Sequence, residues 1–250
     1  ILIGYFLTNT DVGIYRVAYQ LTGIATLVCI AMNTALFPRI SRWNTDGDLH
    51  AIESALPKAV TFSLLLAVPI VTGGILLGER LLYFLYGADF IAGTAALGVL
   101  LIMQVVYVFV TLQITCLNAM DRPKHSFAAT SLAAAINIGL NVILIPLLGI
   151  LGAALATFIS FILTAILSYT YLSRHLKISL EPRPIRNILT AAGVMAGVVL
   201  LFRAIVGIPS ILYLLTLILV GALLYFTVLF RIDPGLRHEA GDLLRTVGLL

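Results

Sequence analysis

Long apolar runs separated by short polar segments dominate the sequence. Several runs extend without a charged residue for about 20 positions, the length of helix that crosses roughly 30 Å of hydrocarbon. Backbone groups in hydrocarbon must be satisfied within the segment, and the alternating segments typical of a membrane barrel are absent from the sequence. The pattern therefore predicts an all-α integral membrane protein, a polytopic bundle of about seven full transmembrane helices at residues 14–37, 59–77, 91–117, 127–148, 150–172, 188–206 and 211–230.

The first residues, 1–7, are apolar and are predicted to be the end of an eighth helix. They carry no initiator Met, basic segment or cleavage site of a signal peptide. We therefore expect the sequence to be part of a longer protein.

Lys and Arg alternate between the connections of the predicted helices. Twelve lie in one set of connections: Arg39, Arg42, Lys58, Arg122, Lys124, Arg174, Lys177, Arg183, Arg186, Arg231, Arg237 and Arg245. The opposite connections contain only Arg80, which is accompanied by Glu79 and Asp89. Because basic residues mark cytoplasmic loops, we predict that the first set and the C-terminus are cytoplasmic.

Two local patterns refine this picture. Asp46-Gly47-Asp48 predicts a turn and a helix start, and the helical spacing of Leu49, Ile52 and Leu56 predicts a short interfacial helix before the second span. Gly193 and Gly197 form a GxxxG pattern, which predicts close packing of the sixth span against another helix.

Composition agrees with a membrane protein. Hydrophobic residues make up 61% of the chain, charged residues only 10%, and the mean hydropathy is +1.10. The net charge of +4 follows from the basic loops, so we do not expect nucleic acid as a partner. Cys29 and Cys116 lie in apolar spans and are predicted to be small buried side chains rather than a disulfide or metal site.

The sequence offers no catalytic or metal-binding pattern. It lacks a GxxxxGK[ST] stretch, and Asp46-Gly47-Asp48 is interpreted as a capped turn rather than a metal-binding DxD. His50, His125, His175 and His238 are predicted to be scattered, solvated loop residues. We therefore predict no catalytic residue, no metal and no cofactor.

Polar side chains inside spans are the candidates for a transport pathway, because they are unfavourable in hydrocarbon. Arg16 and Gln20 lie one helical turn apart in the first span. A guanidinium lining a cavity suits a phosphate group. Alternatively, Arg16 lies near the outer boundary and extends to water as an anchor.

Two further stripes of polar residues occupy the third and fourth spans. Gln104 and Asn118 belong to the first, together with Thr111 and Thr115; Asn137 and Asn141 belong to the second, together with Thr130. We name Gln104, Asn118, Asn137 and Asn141 as candidate partners for sugar hydroxyls. The alternative is hydrogen bonding between helices that only stabilises the bundle.

An ordered series of motifs carries a family resemblance. The motifs are IGYFL at 3–7, VGIYRVAY at 12–19, TALFPRIS at 34–41, LYGADF at 85–90, NAMDRP at 118–123, NIGLNVILIP at 137–146 and GILGAALAT at 149–157. In residues 1–175 the chain resembles Wzx-like polysaccharide-biosynthesis flippases of the multidrug/oligosaccharidyl-lipid/polysaccharide exporter superfamily. The last two spans match only in hydropathy.

The resemblance implies a two-lobed bundle with a central cavity. Residues 1–175 would form the C-terminal lobe, 176–187 a cytoplasmic linker, 188–230 two additional helices and 231–250 a cytoplasmic tail. It implies a flippase of the cell membrane that moves a polyprenyl-linked oligosaccharide for polysaccharide or glycan assembly. Expected partners are this substrate, membrane lipid, the N-terminal half of the same protein and glycan-assembly enzymes.

Three alternatives stay open from the sequence. A cation-coupled multidrug exporter of the same superfamily would place a carboxylate inside the spans, and the predicted spans contain none. A membrane-embedded glycan polymerase or transferase would need a catalytic outer loop, and the predicted outer connections are short. A purely structural membrane subunit is the third.

Overall fold

The computed structural model describes residues 2–237, except for the side chain of Val28, and this part of the chain contains helices and turns without a strand. The helices are α1 (Leu2–Phe6), α2 (Asn9–Thr22), α3 (Leu27–Asp46), α4 (Leu49–Tyr86), α5 (Thr94–Ala119), α6 (Pro123–Leu148), α7 (Ile150–Leu172), α8 (Pro182–Ile205) and α9 (Ile211–Ile232). Short 3₁₀ turns cover Gly23–Thr26 and Ala88–Gly93. His238, Arg245 and most of the predicted tail lie outside the described residues.

Within residues 2–237, the six helices α4 to α9 are long and apolar enough to cross a membrane. The number of spans is seven if Asn9–Thr26 and Cys29–Asp46, which are bent by 49° relative to each other, count together as one broken span. The predicted fold class is confirmed: the chain is an all-α, multi-pass membrane protein. The predicted first span, 14–37, is instead two helices joined by a 3₁₀ turn.

The predicted interfacial helix is wrong. A turn does occur at Gly47, whose φ is 74°, and Asp48 caps α4 by accepting a hydrogen bond from the Ala51 amide at 3.0 Å. However, α4 then runs without interruption through Pro57 into the membrane span. A proline removes one backbone hydrogen bond, and here the buried face formed by Ile52 and Leu56 continues beyond it, so the packing sustains the helix.

The predicted end of the second span is also wrong. We expected Glu79 and Arg80 to lie in a connection, but α4 continues to Tyr86 and includes both. Leu77 and Leu82 are fully buried on either side of the charged pair, so one apolar face runs through it. Glu79 and Arg80 are half-buried, and two charged residues do not end a helix whose buried positions continue on both sides of them.

Helix α5 is the centre of the first of two compact units, which divide between Leu180 and Glu181. It packs against α2, α3, α4 and α7, while α6 packs along α7. The core includes Ala18, Leu82, Leu100, Met103 and Ala154, and the prediction that Cys29 and Cys116 are buried is confirmed. This unit contains every candidate site residue.

The turn between α6 and α7 brings these two helices into close contact. Gly149 adopts a φ of 61°, a left-handed conformation that L side chains rarely take. Three residues later, a Cβ at Gly152 would overlap the backbone carbonyl of Leu144. The hairpin therefore depends on glycine at both positions.

The second unit is the hairpin of α8 and α9. Its helices meet where Gly221 faces Val199 and Met195, and Asn187 Nδ2 donates a hydrogen bond to Asp233 Oδ2 at 3.0 Å. The predicted close contact at Gly193 and Gly197 is wrong within the described residues, because a Cβ at either would have no neighbour within 4 Å. A GxxxG pattern permits close approach but does not by itself supply a partner.

Candidate functional site

Helix α2 begins at a capping box and has one buried and one exposed face. Thr8 caps the helix: its Oγ1 accepts a hydrogen bond from the Asp11 amide at 3.3 Å, and its own amide donates to Asp11 Oδ2 at 3.1 Å. Ile14 and Ala18 are buried, whereas Arg16 and Gln20 are exposed. The two candidates on α2 therefore share a face that the described chain leaves open.

Gln104 on α5 is buried and points toward the end of α2. Its Nε2 donates a hydrogen bond to Thr22 Oγ1 at 2.8 Å, and Thr22 Oγ1 donates to the Tyr19 carbonyl at 2.7 Å. Gln104 Oε1 is buried without a hydrogen-bond partner among the described residues. This side chain joins two helices rather than lining an open surface.

The three asparagine candidates are also bonded within the bundle. Asn141 Nδ2 donates to the carbonyl of Asn137 at 2.8 Å and to Asn137 Oδ1 at 2.9 Å. Asn118 Oδ1 accepts from Ser126 Oγ at 2.5 Å across the turn between α5 and α6. Because Gln104 and Asn118 are about 21 Å apart along α5, the candidates do not form one compact site.

A groove of about 560 Å³ lies between α5, α6 and α7. It brings together members of the two predicted stripes with a third stripe on α7. The polar residues lining it are Tyr107, Thr111, Thr115, Thr130, Asn137, Thr157, Ser160 and Thr164. Asn137 is the only one of our six candidates that lines this groove.

The α7 stripe was missing from our predictions. Thr157, Ser160 and Thr164 recur at helical spacing in an otherwise apolar run, and this signal is visible in the sequence. Each hydroxyl donates to a carbonyl of its own helix, at 2.9, 2.7 and 2.8 Å respectively. With their protons engaged, these oxygens can accept hydrogen bonds from a ligand hydroxyl or amide.

Tyr15 connects the exposed face of α2 to this groove region. Its hydroxyl lies 3.5 Å from Thr157 Oγ1, and its ring stacks on Tyr19 with 6.4 Å between centroids. Tyr15 precedes Arg16 in the sequence, so the contact fixes the rotation of α2 about its axis. The exposure of Arg16 therefore follows from packing on its neighbours.

The family model described as "Lipid II flippase MurJ" matches residues 3–221. The chain is 32% identical over 249 residues to the probable low-salt glycan biosynthesis flippase Agl15 of Haloferax volcanii, with 98% of this chain and 52% of that protein covered. It is 31% identical over 216 residues to the probable lipid II flippase MurJ of Thermotoga maritima, covering 82% and 42% of the two chains.

A solved structure of lipid II flippase MurJ in an inward closed conformation has the same fold. Its TM-score is 0.76 at 20% identity, covering 90% of this chain and 48% of the other. The chain spans about half the length of the curated relatives it matches, since it covers 52% of Agl15. The predicted superfamily is supported, whereas the Wzx-like assignment within it is not specifically confirmed. The chain belongs to the MurJ family of lipid flippases.

Proposed function

We propose that the full-length protein flips a polyprenyl-linked oligosaccharide across the cell membrane for glycan or polysaccharide assembly. The observation that carries this proposal is the 32% identity to a glycan biosynthesis flippase over 98% of this chain. A second relative from Haloferax volcanii, the probable flippase AglR, is 30% identical to this chain over 247 residues. The MurJ relative of Thermotoga maritima matches a smaller share of the chain, 82%, so we favour a glycan substrate over lipid II.

Arg16 and Gln20 are the residues that we propose face the substrate. Both are exposed on α2, the first half of the broken span, and a bare phosphate in hydrocarbon is unfavourable by about 20 kcal/mol in Born estimates. A guanidinium offers paired donors for phosphate oxygens and stays charged. In the full-length protein this face of α2 would border the central cavity.

The other four candidates take supporting roles in this proposal. Gln104, Asn118 and Asn141 use their amides in contacts between or within helices. Asn137 lines the α5–α6–α7 groove, and its Oδ1 accepts a hydrogen bond from Asn141. We propose that Asn137 and the hydroxyls of that groove meet polar parts of the substrate.

We also propose that the basic connections and the C-terminus are cytoplasmic. Three of the basic connections lie at one end of the first unit. The Lys177 amide donates to Glu53 Oε1 at 2.6 Å, and the rings of His125 and His175 are 6.5 Å apart. Because Lys and Arg accumulate on the cytoplasmic side, this gathering supports the orientation.

The test is to delete the full-length gene and follow lipid-linked oligosaccharide on each membrane face by its accessibility to a lectin. We expect the deletion to trap the intermediate on the cytoplasmic face and the wild-type gene to restore export. A strain lacking redundant flippases provides the control. Unchanged sidedness in that strain would contradict the proposal and favour drug export, which a drug-efflux assay would then measure.

A further inference from the structure

Four cationic or titratable side chains converge at the end of the first unit that carries the α5–α6 turn. Arg122 and His125 come from this turn and the first turn of α6, and Arg174 and His175 follow the end of α7. We call these four residues the histidine–arginine cluster. The prediction that the histidines are scattered is wrong for His125 and His175, whose ring centroids are 6.5 Å apart.

Local structure holds the two halves of the cluster in place. At the α5–α6 turn, Asp121 has a φ of 57° and the Arg122 amide donates to the Leu117 carbonyl at 2.9 Å. After α7, the His175 amide donates to the Leu172 carbonyl at 3.0 Å, and Leu176 is buried. The cluster is therefore built on ordered turns.

Tyr171 lies between the two halves. Its ring is 4.7 Å from the His125 ring, and the guanidinium carbon of Arg174 lies 5.7 Å from the Tyr171 centroid. A cation at this distance from an aromatic face is attracted to it. Tyr171, on α7, thus contacts both His125 on α6 and Arg174 after the end of α7.

The cluster concentrates positive charge without a paired carboxylate. Among the described residues, none of its four side chains forms an ion pair, and His125 Nδ1 is buried without a hydrogen-bond partner. The pKa of His175 is lowered by desolvation and then by Arg122, His125 and Arg174. The three effects that follow desolvation reflect positive charge around His175.

Two kinds of ligand fit paired histidines, a transition metal and an anion. Imidazoles at this spacing resemble a two-ligand metal site, but the described residues contain no group of three metal-binding side chains here. Arg122 and Arg174 would also repel a cation, whereas they attract an anion and donate to its oxygens. The charges therefore favour an anion.

We propose that the histidine–arginine cluster binds a phosphate group, carried by the headgroup of an anionic membrane lipid or by a soluble phosphate. The cluster lies at helix ends, where a bilayer presents its headgroups, and Phe127, two residues after His125 on α6, is 72% exposed. An exposed apolar ring at the same helix end as a cationic cluster suits a lipid, because acyl chains can pack on the ring while the headgroup meets the charges.

This cluster is distinct from the face of α2 that carries Arg16. A Cβ at Gly93 would contact Ile14, so the first half of α2 packs near the start of α5. The cluster lies at the opposite end of α5, whose 26 residues span about 39 Å. A phosphate bound at the cluster would therefore not occupy the proposed substrate face.

The experiment titrates purified full-length protein in neutral detergent with short-chain phosphatidylglycerol, with phosphatidylcholine and with inorganic phosphate. Native mass spectrometry counts bound lipid, and calorimetry follows inorganic phosphate. The variant R122Q/R174Q removes two charges of the cluster. The matched control R39Q/R42Q removes two charges from exposed arginines on α3, near the same end of the unit.

We expect R122Q/R174Q to weaken phosphatidylglycerol binding at least tenfold, and R39Q/R42Q to change it less than twofold. Preference for phosphatidylglycerol over inorganic phosphate would identify the lipid as the source, and the reverse preference with the same arginine dependence would identify soluble phosphate. If R122Q/R174Q does not fold, H125Q/H175Q is expected to show a comparable loss.

Three results would overturn the inference. Equal weakening in the cluster variant and the α3 control would mean diffuse attraction to a basic surface. Unchanged binding of both anions in folded cluster variants would mean that the cluster holds no phosphate. Histidine-dependent binding of Zn²⁺ that exceeds binding of both anions would make the cluster a metal site.

Discussion

Polar side chains are exposed on one face of α2 but buried and hydrogen-bonded in the packed helices α5 to α7. On α2, Arg16 and Gln20 are exposed on a helix of a membrane bundle. In α5 to α7, Gln104 and Asn141 are buried and bonded to neighbouring side chains or backbone. The same chemical groups thus serve packing in one region and remain available for a ligand in the other.

The energetic scale explains why the two regions differ. A hydrogen bond between polar groups of membrane helices contributes only about 0.6 kcal/mol on average. An arginine in the bilayer is unfavourable by about 3 kcal/mol on insertion scales. A buried amide pair therefore needs no function beyond packing, whereas an exposed Arg16 requires water, another part of the protein or a ligand.

The largest effect is expected where α6 and α7 touch. In full-length protein, Gly152→Ala places a methyl group against the Leu144 carbonyl, so the helices must separate. We expect the free energy of unfolding in mixed micelles to fall by about 3 kcal/mol. Gly139→Ala on α6 is the control, because its Cβ would have no neighbour within 4 Å. Equal stability of the two variants would contradict the close contact.

On α2, we expect Arg16→Ala to reduce transport at least about tenfold, because a charge-assisted contact with phosphate contributes about 1.5–3 kcal/mol. Stability should not change, since Arg16 is exposed. The measurement is lectin-accessible substrate in the deletion strain at matched expression. Arg42→Ala, another exposed arginine, is the control. Full transport by Arg16→Ala would make Arg16 an anchor at the membrane surface.

The buried pair of Gln104 and Thr22 should affect stability rather than transport. Thr22→Val leaves the Gln104 amide without its 2.8 Å partner, and we expect a loss of about 1 kcal/mol. Gln104→Leu should be less harmful, because it also removes Oε1, which is buried without a partner. A double-mutant cycle measures the coupling. Reduced transport per folded molecule in either variant would place this pair in the pathway.

The helices were largely predictable because each long apolar run has to be a helix in hydrocarbon. Their ends were less predictable. At Pro57 and at Glu79 a local signal for a helix end competes with a buried face that continues, and packing decides. The break at Gly23–Thr26 carries little sequence signal beyond Gly23 itself.

The candidate sites were predictable only as stripes. Helical spacing places Asn137 and Asn141 on one face, but whether they bond to each other or to a ligand depends on rotamers that the sequence does not specify. The contact between His125 and His175 depends on how α6 packs along α7. Local spacing cannot reveal pairs that form between helices.

The smallest predicted effect is a change of stability with pH, caused by His175 at the end of the first unit farthest from Arg16. The folded-state pKa of His175 lies below 6.5 because of desolvation and the charges of Arg122, His125 and Arg174. Between that pKa and 6.5 the unfolded chain binds more protons, so stability falls as pH drops through this window. We expect a small decrease in melting temperature on acidification, because His175 is largely solvated.

His175→Gln should flatten this dependence, because it removes the group whose pKa is lowered. A bound phosphate would place negative charge beside His175 and raise its pKa. Phosphatidylglycerol should therefore weaken or reverse the decrease in wild type and have no such effect in His175→Gln. An identical pH dependence with and without this lipid would mean that the lipid does not change the pKa of His175. That result would contradict phosphate binding at the cluster.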